Sequence, residues 1–265
     1  MGDGLRLALT TLTVARVRGP RSLDRHTAGA AMALAPVVGL GLGLVAAAVL
    51  SGFGRLTRAG TPPLLACALT VATLAVLTRG LHLDGLSDLA DGLGSYLPAE
   101  RARAVMKQPD VGALGLAAVV LVLLVQVGAL LGAVQSGRGT VSTVLSVVLG
   151  RIAVTAACRS TPAAAPDGLG ALVAGTVRRW VPIGWALVAA ATGAGYGLTT
   201  GDSGTARLLD GARPVLAVAL SLLAAWLLRR HAVRRLGGLT GDVLGALVET
   251  ATTVSLVVMA CDLPR

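Results

Sequence analysis

Seven apolar runs, separated by short charged or glycine-rich segments, dominate this sequence. We place them at residues 28–52, 62–78, 111–134, 141–158, 181–199, 214–228 and 243–260, of which the sixth is short. A helix of about 20 apolar residues crosses a hydrocarbon core about 30 Å thick. Only 14% of the 265 residues are charged, against about 25% in soluble domains. The sequence therefore predicts an all-α, polytopic transmembrane helical bundle of six or seven spans. We expect a single integral membrane domain over residues 1–265, with residues 1–27 as a cytoplasmic or interfacial segment.

The net charge of +10 does not indicate nucleic-acid binding, because the basic residues form short clusters between apolar runs without an aromatic stacking platform. Lysine and arginine instead concentrate in the cytoplasmic loops of membrane proteins. With the N-terminus in the cytoplasm, 16 of the 23 basic residues fall on the cytoplasmic side and 6 on the other, with Arg151 inside a span. We therefore expect a multi-pass protein of the cell inner membrane. Its N-terminus and segments 79–110, 159–180 and 229–242 would share the cytoplasmic face.

Three of the chain's 13 acidic residues lie within eight positions, at Asp84, Asp88 and Asp91. Their i, i+4, i+7 spacing places them on one face of a helix. Carboxylates this close repel one another, and a hard divalent cation such as Mg²⁺, which prefers oxygen ligands, offsets that repulsion. We therefore expect these three residues to be metal ligands and catalytic groups, with Mg²⁺ as the cofactor. Gly85 would let a substrate phosphate approach the backbone.

The alternative for this segment is a solvated acidic loop. Leucines occupy five positions between Leu81 and Leu93, and a merely solvated loop has no need of an apolar second face. The aspartates therefore favour a metal or phosphate site over a loop.

Arg103 and Lys107 follow the aspartates and are spaced i, i+4, so a helix would place them on one face. Such a pair would bind substrate phosphate oxygens opposite the carboxylates. The open alternative is a basic interfacial helix that anchors to anionic membrane lipid.

Arg151 and Glu249 lie inside apolar runs. An ionisable side chain within a membrane is costly and usually faces a partner or a polar cavity, which makes both residues candidates for substrate binding. Two alternatives remain open: the arginine snorkels to the interface, or the two side chains pair with each other.

The glycine-rich turn before the last run holds Thr240, Gly241 and Asp242. Thr240 or Asp242 would cap the helix that follows. A functional role adds backbone N–H groups at the helix start that face a phosphate, with Asp242 as a further metal ligand. His82 is a candidate for substrate binding or for acid–base work, although a plain hydrogen bond is the more common role of such a histidine.

In its motifs the chain resembles the cobalamin synthase family, also called adenosylcobinamide-GDP ribazoletransferase. The run from His82 to Gly92 resembles the family's aspartate signature, and Gly237 to Ala246, with Glu249 beyond it, resembles the closing motif. Weaker matches are Pro36 to Gly39, Met106-Lys107 leading to Gly112 and Gly115, and Gly168 to Gly170.

The resemblance implies an enzyme of late vitamin B12 assembly. Members of the family join adenosylcobinamide-GDP to α-ribazole or its 5′-phosphate, release GMP and need Mg²⁺. By the same resemblance, Asp84, Asp88 and Asp91, helped by Asp242, would bind the metal, and basic residues would hold the phosphates. Small residues in the spans also favour self-association into a homo-oligomer.

The chain departs from the family pattern at Gln108 and Asp110, where an aspartate and a basic residue are usual, and at 161–167, which lacks basic residues. Two rival functions remain. A CDP-alcohol phosphotransferase would have Ala-Arg where this chain has Asp88-Leu89. A membrane transporter would show inverted repeats or broken-helix pairs, and the sequence gives no sign of either.

Overall fold

The computed structural model describes residues 2–56, 63–200 and 204–261. The start of the second predicted run at residue 62, and Arg58 and Arg265 of the basic count, lie outside these ranges. The described residues form eleven α-helices: α1 Asp3–Leu12, α2 Arg25–Leu56, α3 Pro63–Leu77, α4 Leu81–Gly94, α5 Ala99–Val105, α6 Ala113–Gln135, α7 Gly139–Ala157, α8 Gly168–Val173, α9 Trp180–Thr200, α10 Gly204–Leu236 and α11 Gly241–Ala260.

Six of these helices, α2, α6, α7, α9, α10 and α11, are long and apolar enough to cross a membrane. The predicted all-α polytopic fold is confirmed. The sixth predicted run was too short, because α10 extends well beyond 214–228 at both ends. Charged residues at the two ends of α10 lower the hydropathy there, but arginine is a good helix former and does not end a helix.

The second predicted run does not form a straight span on its own. Its described part is the 15-residue helix α3, which bends by 87° into α4. Only α3 and α4 together are long and apolar enough to form a seventh membrane crossing. This broken pair corrects the expectation that the chain contains none.

The bend between α3 and α4 depends on Gly80, which has the left-handed φ of 67° that glycine adopts without strain. Its N–H donates to the Ala75 carbonyl at 2.8 Å and so ends α3. Arg79, also left-handed at φ 56°, donates its guanidinium to the Thr10 carbonyl at 3.1 Å at the end of α1. The turn that starts α4 is therefore fixed by hydrogen bonds on both sides.

Helices α7 and α11 form the centre of the bundle and are the most deeply buried of the six spans, whereas α6 and α9 expose most of their surface. Helix α2 packs along α7, and α4 packs between α11 and α6. Leucines such as Leu116 and Leu124 on α6 face outward, as lipid-facing side chains do. The aspartate helix α4 thus lies against the buried centre of the protein.

The loop between α7 and α8 reaches the start of α11. Ala163 forms an isolated parallel bridge with Leu239, in which Leu239 N–H donates to the Pro162 carbonyl at 2.8 Å and Ala164 N–H to the Leu239 carbonyl at 3.1 Å. The C-terminal ends of α7 and α10 and the start of α11 therefore meet at one face of the bundle, as the basic loop segments predicted.

The packing of α9 on α10 should depend on the missing side chain of Gly197. A Cβ there would overlap backbone atoms of Asp210 and Gly211, whereas a Cβ at Gly195 in the same helix meets nothing within 4 Å. We expect Gly197→Ala to destabilise the protein by about 2 kcal/mol, since overpacking against backbone forces the helices apart. Gly195→Ala is the matched control and should be neutral or slightly stabilising. Thermal unfolding of both variants in detergent checks this, and equal midpoints would contradict it.

Candidate active site

The three predicted aspartates lie on the one helix that their spacing predicted, α4. Asp84 is exposed, and Asp88 and Asp91 are half-buried. Neither Asp84 nor Asp88 accepts a hydrogen bond from another described residue. Their oxygens are therefore available to a ligand.

Asp242 joins these aspartates because the backbone of α11 lies directly against α4. A Cβ at Gly85 would lie 2.8 Å from the Asp242 carbonyl oxygen, 2.9 Å from its Cα and 3.2 Å from the Cα of Gly245. Gly85 therefore allows two helices to touch, a packing role that differs from the predicted approach of a phosphate. We call Asp84, Asp88, Asp91 and Asp242 the carboxylate cluster.

The electrostatics of the carboxylate cluster centre on Asp88. The pKa of Asp88 is raised to about 6. Burial, which disfavours the charged form, is the largest cause. The other carboxylates of the cluster add to it through repulsion, in the order Asp84, Asp242 and Asp91. A cation or a cationic side chain placed here would be bound favourably.

Asp91 differs from the other two aspartates of α4 because its oxygens are already engaged. They accept hydrogen bonds from the N–H groups of Gly112 and Gly115, each at 2.9 Å, at the start of α6. A Cβ at either glycine would overlap the Asp91 carboxylate. The Gly-x-x-Gly element at 112–115 is thus explained: it lets a carboxylate from α4 cap the N-terminus of α6.

A cavity of about 320 Å³, the basic cavity, lies beside Asp242. Arg103 and Lys107 line it together with Thr240, Gly241 and the loop that precedes α8. Arg103 also donates to the Leu236 carbonyl at the end of α10. Thr240 caps α11 by accepting from the Val243 N–H at 3.2 Å, which confirms the predicted cap. The structure therefore brings both predicted phosphate-binding side chains next to one carboxylate of the cluster.

Among the described residues, no three His, Cys, Asp or Glu side chains converge closely enough to hold a metal ion by themselves. The donors nevertheless fit Mg²⁺, which normally takes one or two carboxylates and fills its remaining positions with water and substrate phosphates. Asp84, Asp88 and Asp242 are the carboxylates that would supply those ligands, because Asp91 is occupied at α6.

His82, Arg151 and Glu249 lie in a separate cavity of about 20 Å³ that shares no residue with the basic cavity. Arg151 is buried, and its stem packs on Gly39 of the Pro36 to Gly39 element. Within the described residues, Arg151 and Glu249 form no direct ion pair. Glu249 instead accepts from Gln126 Nε2 at 2.8 Å. The structure thus places these three residues away from the predicted phosphate-binding side chains, and their role in substrate binding stays a prediction.

Gln126 was not among the candidate residues, although its position carried a signal. It stands alone as a polar side chain in the run from Leu121 to Leu131, and it also donates to Thr253 Oγ1 at 3.0 Å. An amide in a span almost always faces a polar partner inside the bundle. We call His82, Gln126, Arg151 and Glu249 the buried polar cluster.

Comparison with known proteins decides the family. A family model described as cobalamin-5-phosphate synthase matches residues 4–260. The chain belongs to the cobalamin-5-phosphate synthase family. Three curated relatives share the name adenosylcobinamide-GDP ribazoletransferase. The protein from Frankia casuarinae is 45% identical, with 98% of this chain and 95% of the relative covered. Those from Corynebacterium efficiens and Ectopseudomonas mendocina are each 36% identical, with 97% of this chain and 91% and 98% of the relatives covered. No solved structure matches the chain.

Family membership makes the chain an enzyme of cobalamin biosynthesis, a transferase. The predicted departures from the family pattern fall near the basic cavity. Gln108 and Asp110 are exposed just after Lys107, and Asp167 of the 161–167 segment lines the cavity. The predicted departures would therefore alter the loops around the cavity and not the carboxylate cluster.

Removal of the Asp91 carboxylate should cost stability, whereas removal of the Asp84 carboxylate should not. Asp91→Ala leaves two half-buried N–H groups of α6 without their acceptor, at a cost of about 1–3 kcal/mol. Asp84 is exposed and relieves repulsion when it is removed, so Asp84→Ala should retain or slightly raise the unfolding midpoint. Thermal unfolding in detergent, without added metal, separates the two. A midpoint of Asp91→Ala equal to that of the wild type would mean that the cap contributes nothing.

Proposed function

We propose that this chain joins adenosylcobinamide-GDP to α-ribazole, or to α-ribazole 5′-phosphate, with release of GMP and with Mg²⁺ as its cofactor. The observation that carries the proposal is the position of the carboxylate cluster beside a cavity lined by Arg103 and Lys107. Metal-dependent transfer of a phosphate-linked group requires two kinds of side chain. Oxygen ligands bind the divalent cation, and cationic side chains donate to the phosphate oxygens. Both kinds of side chain are present at this site. Curated members of the family carry the name adenosylcobinamide-GDP ribazoletransferase, which matches the proposed reaction.

The proposed role of each group follows from its position in the site. Arg103 and Lys107 would donate to the diphosphate oxygens of adenosylcobinamide-GDP, and the N–H groups at the start of α11, near Gly241, would add neutral donors. Asp84, Asp88 and Asp242 would hold the metal. When bound, Mg²⁺ neutralises the charge that develops on the phosphates and on the departing GMP.

The chemical change is a substitution at phosphorus. A ribose hydroxyl of α-ribazole forms a new O–P bond to the phosphate attached to cobinamide, and the P–O bond to GMP breaks. The hydroxyl proton must leave, and an aspartate of the cluster beside the substrate would accept it.

The orientation that we propose places this site at the cytoplasmic face of the inner membrane. In its support, the ends of α7 and α10 that meet at the site are rich in arginine, among them Arg159, Arg229 and Arg234. Positively charged segments favour the cytoplasmic side. Self-association through small-residue faces stays a prediction.

The bent pair α3 and α4 is the one feature that a transporter would share. It does not favour transport here, because α4 carries three aspartates of the carboxylate cluster and is packed on α11 without room for a side chain at Gly85. An aspartate helix also occurs in the CDP-alcohol phosphotransferase alternative, but the family match over residues 4–260 favours the cobalamin reaction.

The purified full-length protein, supplied with adenosylcobinamide-GDP, α-ribazole and Mg²⁺, should form a cobalamin and release GMP. Asp84→Asn should reduce the rate by about 100-fold or more, since it removes a metal ligand from the charged transition state. EDTA should abolish the reaction, and added Mg²⁺ should restore it. Chromatography of the corrinoid and GMP products measures the effect.

Asp110→Asn is the matched control for that assay, because Asp110 is an exposed aspartate in the neighbouring loop and its loss changes the charge equally. Turnover that persists in EDTA would refute the metal requirement and leave the transfer reaction standing. A folded wild-type protein without turnover on either form of ribazole would refute the reaction itself.

Gly85→Ala should lower activity by about 100-fold while the protein still folds, because a displacement of about 1 Å in a catalytic arrangement costs that much. The added Cβ lies too close to backbone atoms of Asp242, which cannot rotate away. Gly128→Ala is the control, since a Cβ on that exposed face of α6 meets nothing within 4 Å. Product formation and thermal unfolding are measured together. Full activity of Gly85→Ala would show that the position of Asp242 relative to α4 does not matter.

A further inference from the structure

A further cavity, of about 230 Å³, lies between α7, α9 and α10 and takes no part in the proposed reaction. We call it the arginine cleft. Its walls are almost entirely apolar, and two arginines line it, Arg159 and Arg229. Arg159 is exposed and Arg229 is half-buried, so these two residues mark the mouth of the cleft. Apolar residues that line it include Ile152, Ala156, Ile183, Leu222 and Trp226. It shares no residue with the basic cavity.

The two arginines of the arginine cleft carry positive charge that the protein leaves uncompensated. None of the described residues that line the cleft is acidic. Neither Arg159 nor Arg229 forms an ion pair with a described carboxylate. Arg229 has one neutral partner, Thr161 Oγ1, to which it donates at 2.6 Å. Two like charges at one partly enclosed mouth repel each other, and an anionic ligand would remove that repulsion.

Tryptophans on α9 and α10, two of the helices that form the cleft, indicate its depth in the membrane. Trp226 lines the cleft, and Arg230 stacks on its ring at 5.3 Å from the centroid. Trp180 at the start of α9 is stacked by Arg179 in the same way, at 4.4 Å. Tryptophan concentrates at the headgroup level of membranes. This distribution favours a position of the guanidinium groups at the level of lipid phosphates, with the apolar walls leading from there towards the hydrocarbon core.

We propose that the arginine cleft binds an anionic phospholipid. Its phosphate would lie between Arg159 and Arg229, and the upper part of an acyl chain would lie along α10 from Arg229 towards Leu222, a length of roughly 10 Å. Charge complementarity selects an anionic headgroup, and the apolar walls select a lipid over a soluble phosphate. A basic pocket between spans near the headgroup level is the kind of site that such lipids fill.

The arginine cleft is separated from the carboxylate cluster by α11. Leu247 of α11 lines the cleft, whereas Gly245 packs against α4 on the other side of the same helix. A second apolar cavity, of about 360 Å³ between α2, α7 and α9, has no charged lining residue and therefore shows no preference for an anionic lipid. The proposal does not depend on the proposed reaction.

Native mass spectrometry of the detergent-purified full-length chain tests the lipid site. Phosphatidylglycerol and phosphatidylcholine with identical acyl chains are added in equal amounts, and retained lipid is counted. We expect one phosphatidylglycerol to be retained in preference to phosphatidylcholine. Arg159→Gln/Arg229→Gln should weaken that retention by about 30-fold, the loss expected for two basic residues that each attract an anionic lipid. Excess glycerol 3-phosphate should not displace the lipid.

Two further variants distinguish lipid binding in the arginine cleft from attraction of lipid by the general positive charge of the surface. Arg16→Gln/Arg18→Gln removes the same charge from two exposed residues outside the cleft and should leave retention unchanged. Ala156→Leu keeps both arginines but fills the cleft, and it should reduce retention even if the double arginine variant unfolds. Equal retention of the two lipids, or unchanged retention in folded Ala156→Leu, would overturn the proposal. Displacement by glycerol 3-phosphate would instead assign the arginines to a soluble phosphate.

Discussion

The backbones of α4 and α11 touch at Gly85, and the geometry of the candidate active site follows from that contact. Any side chain at Gly85 would collide with the carbonyl oxygen and Cα of Asp242, so no other residue permits this approach. The contact places Asp242, at the start of one helix, against a helix that carries three further aspartates. It also places the start of α11 next to the cavity of Arg103 and Lys107. Close packing of small residues is the usual means of helix association in lipid, and here it also assembles opposite charges.

The buried polar cluster shows how the bundle tolerates charge at depth. Arg151 is buried, and the missing side chain of Gly39 leaves room for its stem. Gln126 donates hydrogen bonds from its side-chain amide to the carboxylate of Glu249 and to the hydroxyl of Thr253. His82 connects this cluster to the carboxylate cluster, since it lies two residues before Asp84 on α4. Its Nε2 and the Arg151 Nε have no protein partner among the described residues, and they face a cavity of about 20 Å³, which is enough for a water molecule.

Hydropathy was sufficient to predict the six helices that can cross a membrane, although not the full length of α10. The spacing of Asp84, Asp88 and Asp91 was sufficient to predict the helix that carries them. The residue types of the glycine-rich turn predicted a cap by Thr240 or Asp242, because capping depends on residues close in sequence, and Thr240 is the residue that caps α11. The bend at Gly80 was missed, since the left-handed conformation of one glycine does not alter hydropathy. The roles of Gly85 and Asp91 could not be predicted either, because each depends on a helix distant in sequence: α11 for the glycine and α6 for the carboxylate. The role of Gln126 could be predicted only in part. The sequence shows it as an isolated polar residue in an apolar run, but it does not show that Glu249 is its partner.

Asp91 and Gly85 together have a thermodynamic consequence for ligand binding. Asp91 fastens the C-terminal half of α4 to α6 through two hydrogen bonds, and Gly85 fixes its N-terminal half against α11. The backbone between them therefore has little conformational freedom left to lose when a ligand arrives. Binding to a preorganised arrangement carries a smaller entropic cost than binding to one that must first be ordered. Asp84 and Asp88 stand on this restrained stretch, so a ligand that they bind loses less free energy to ordering of the backbone.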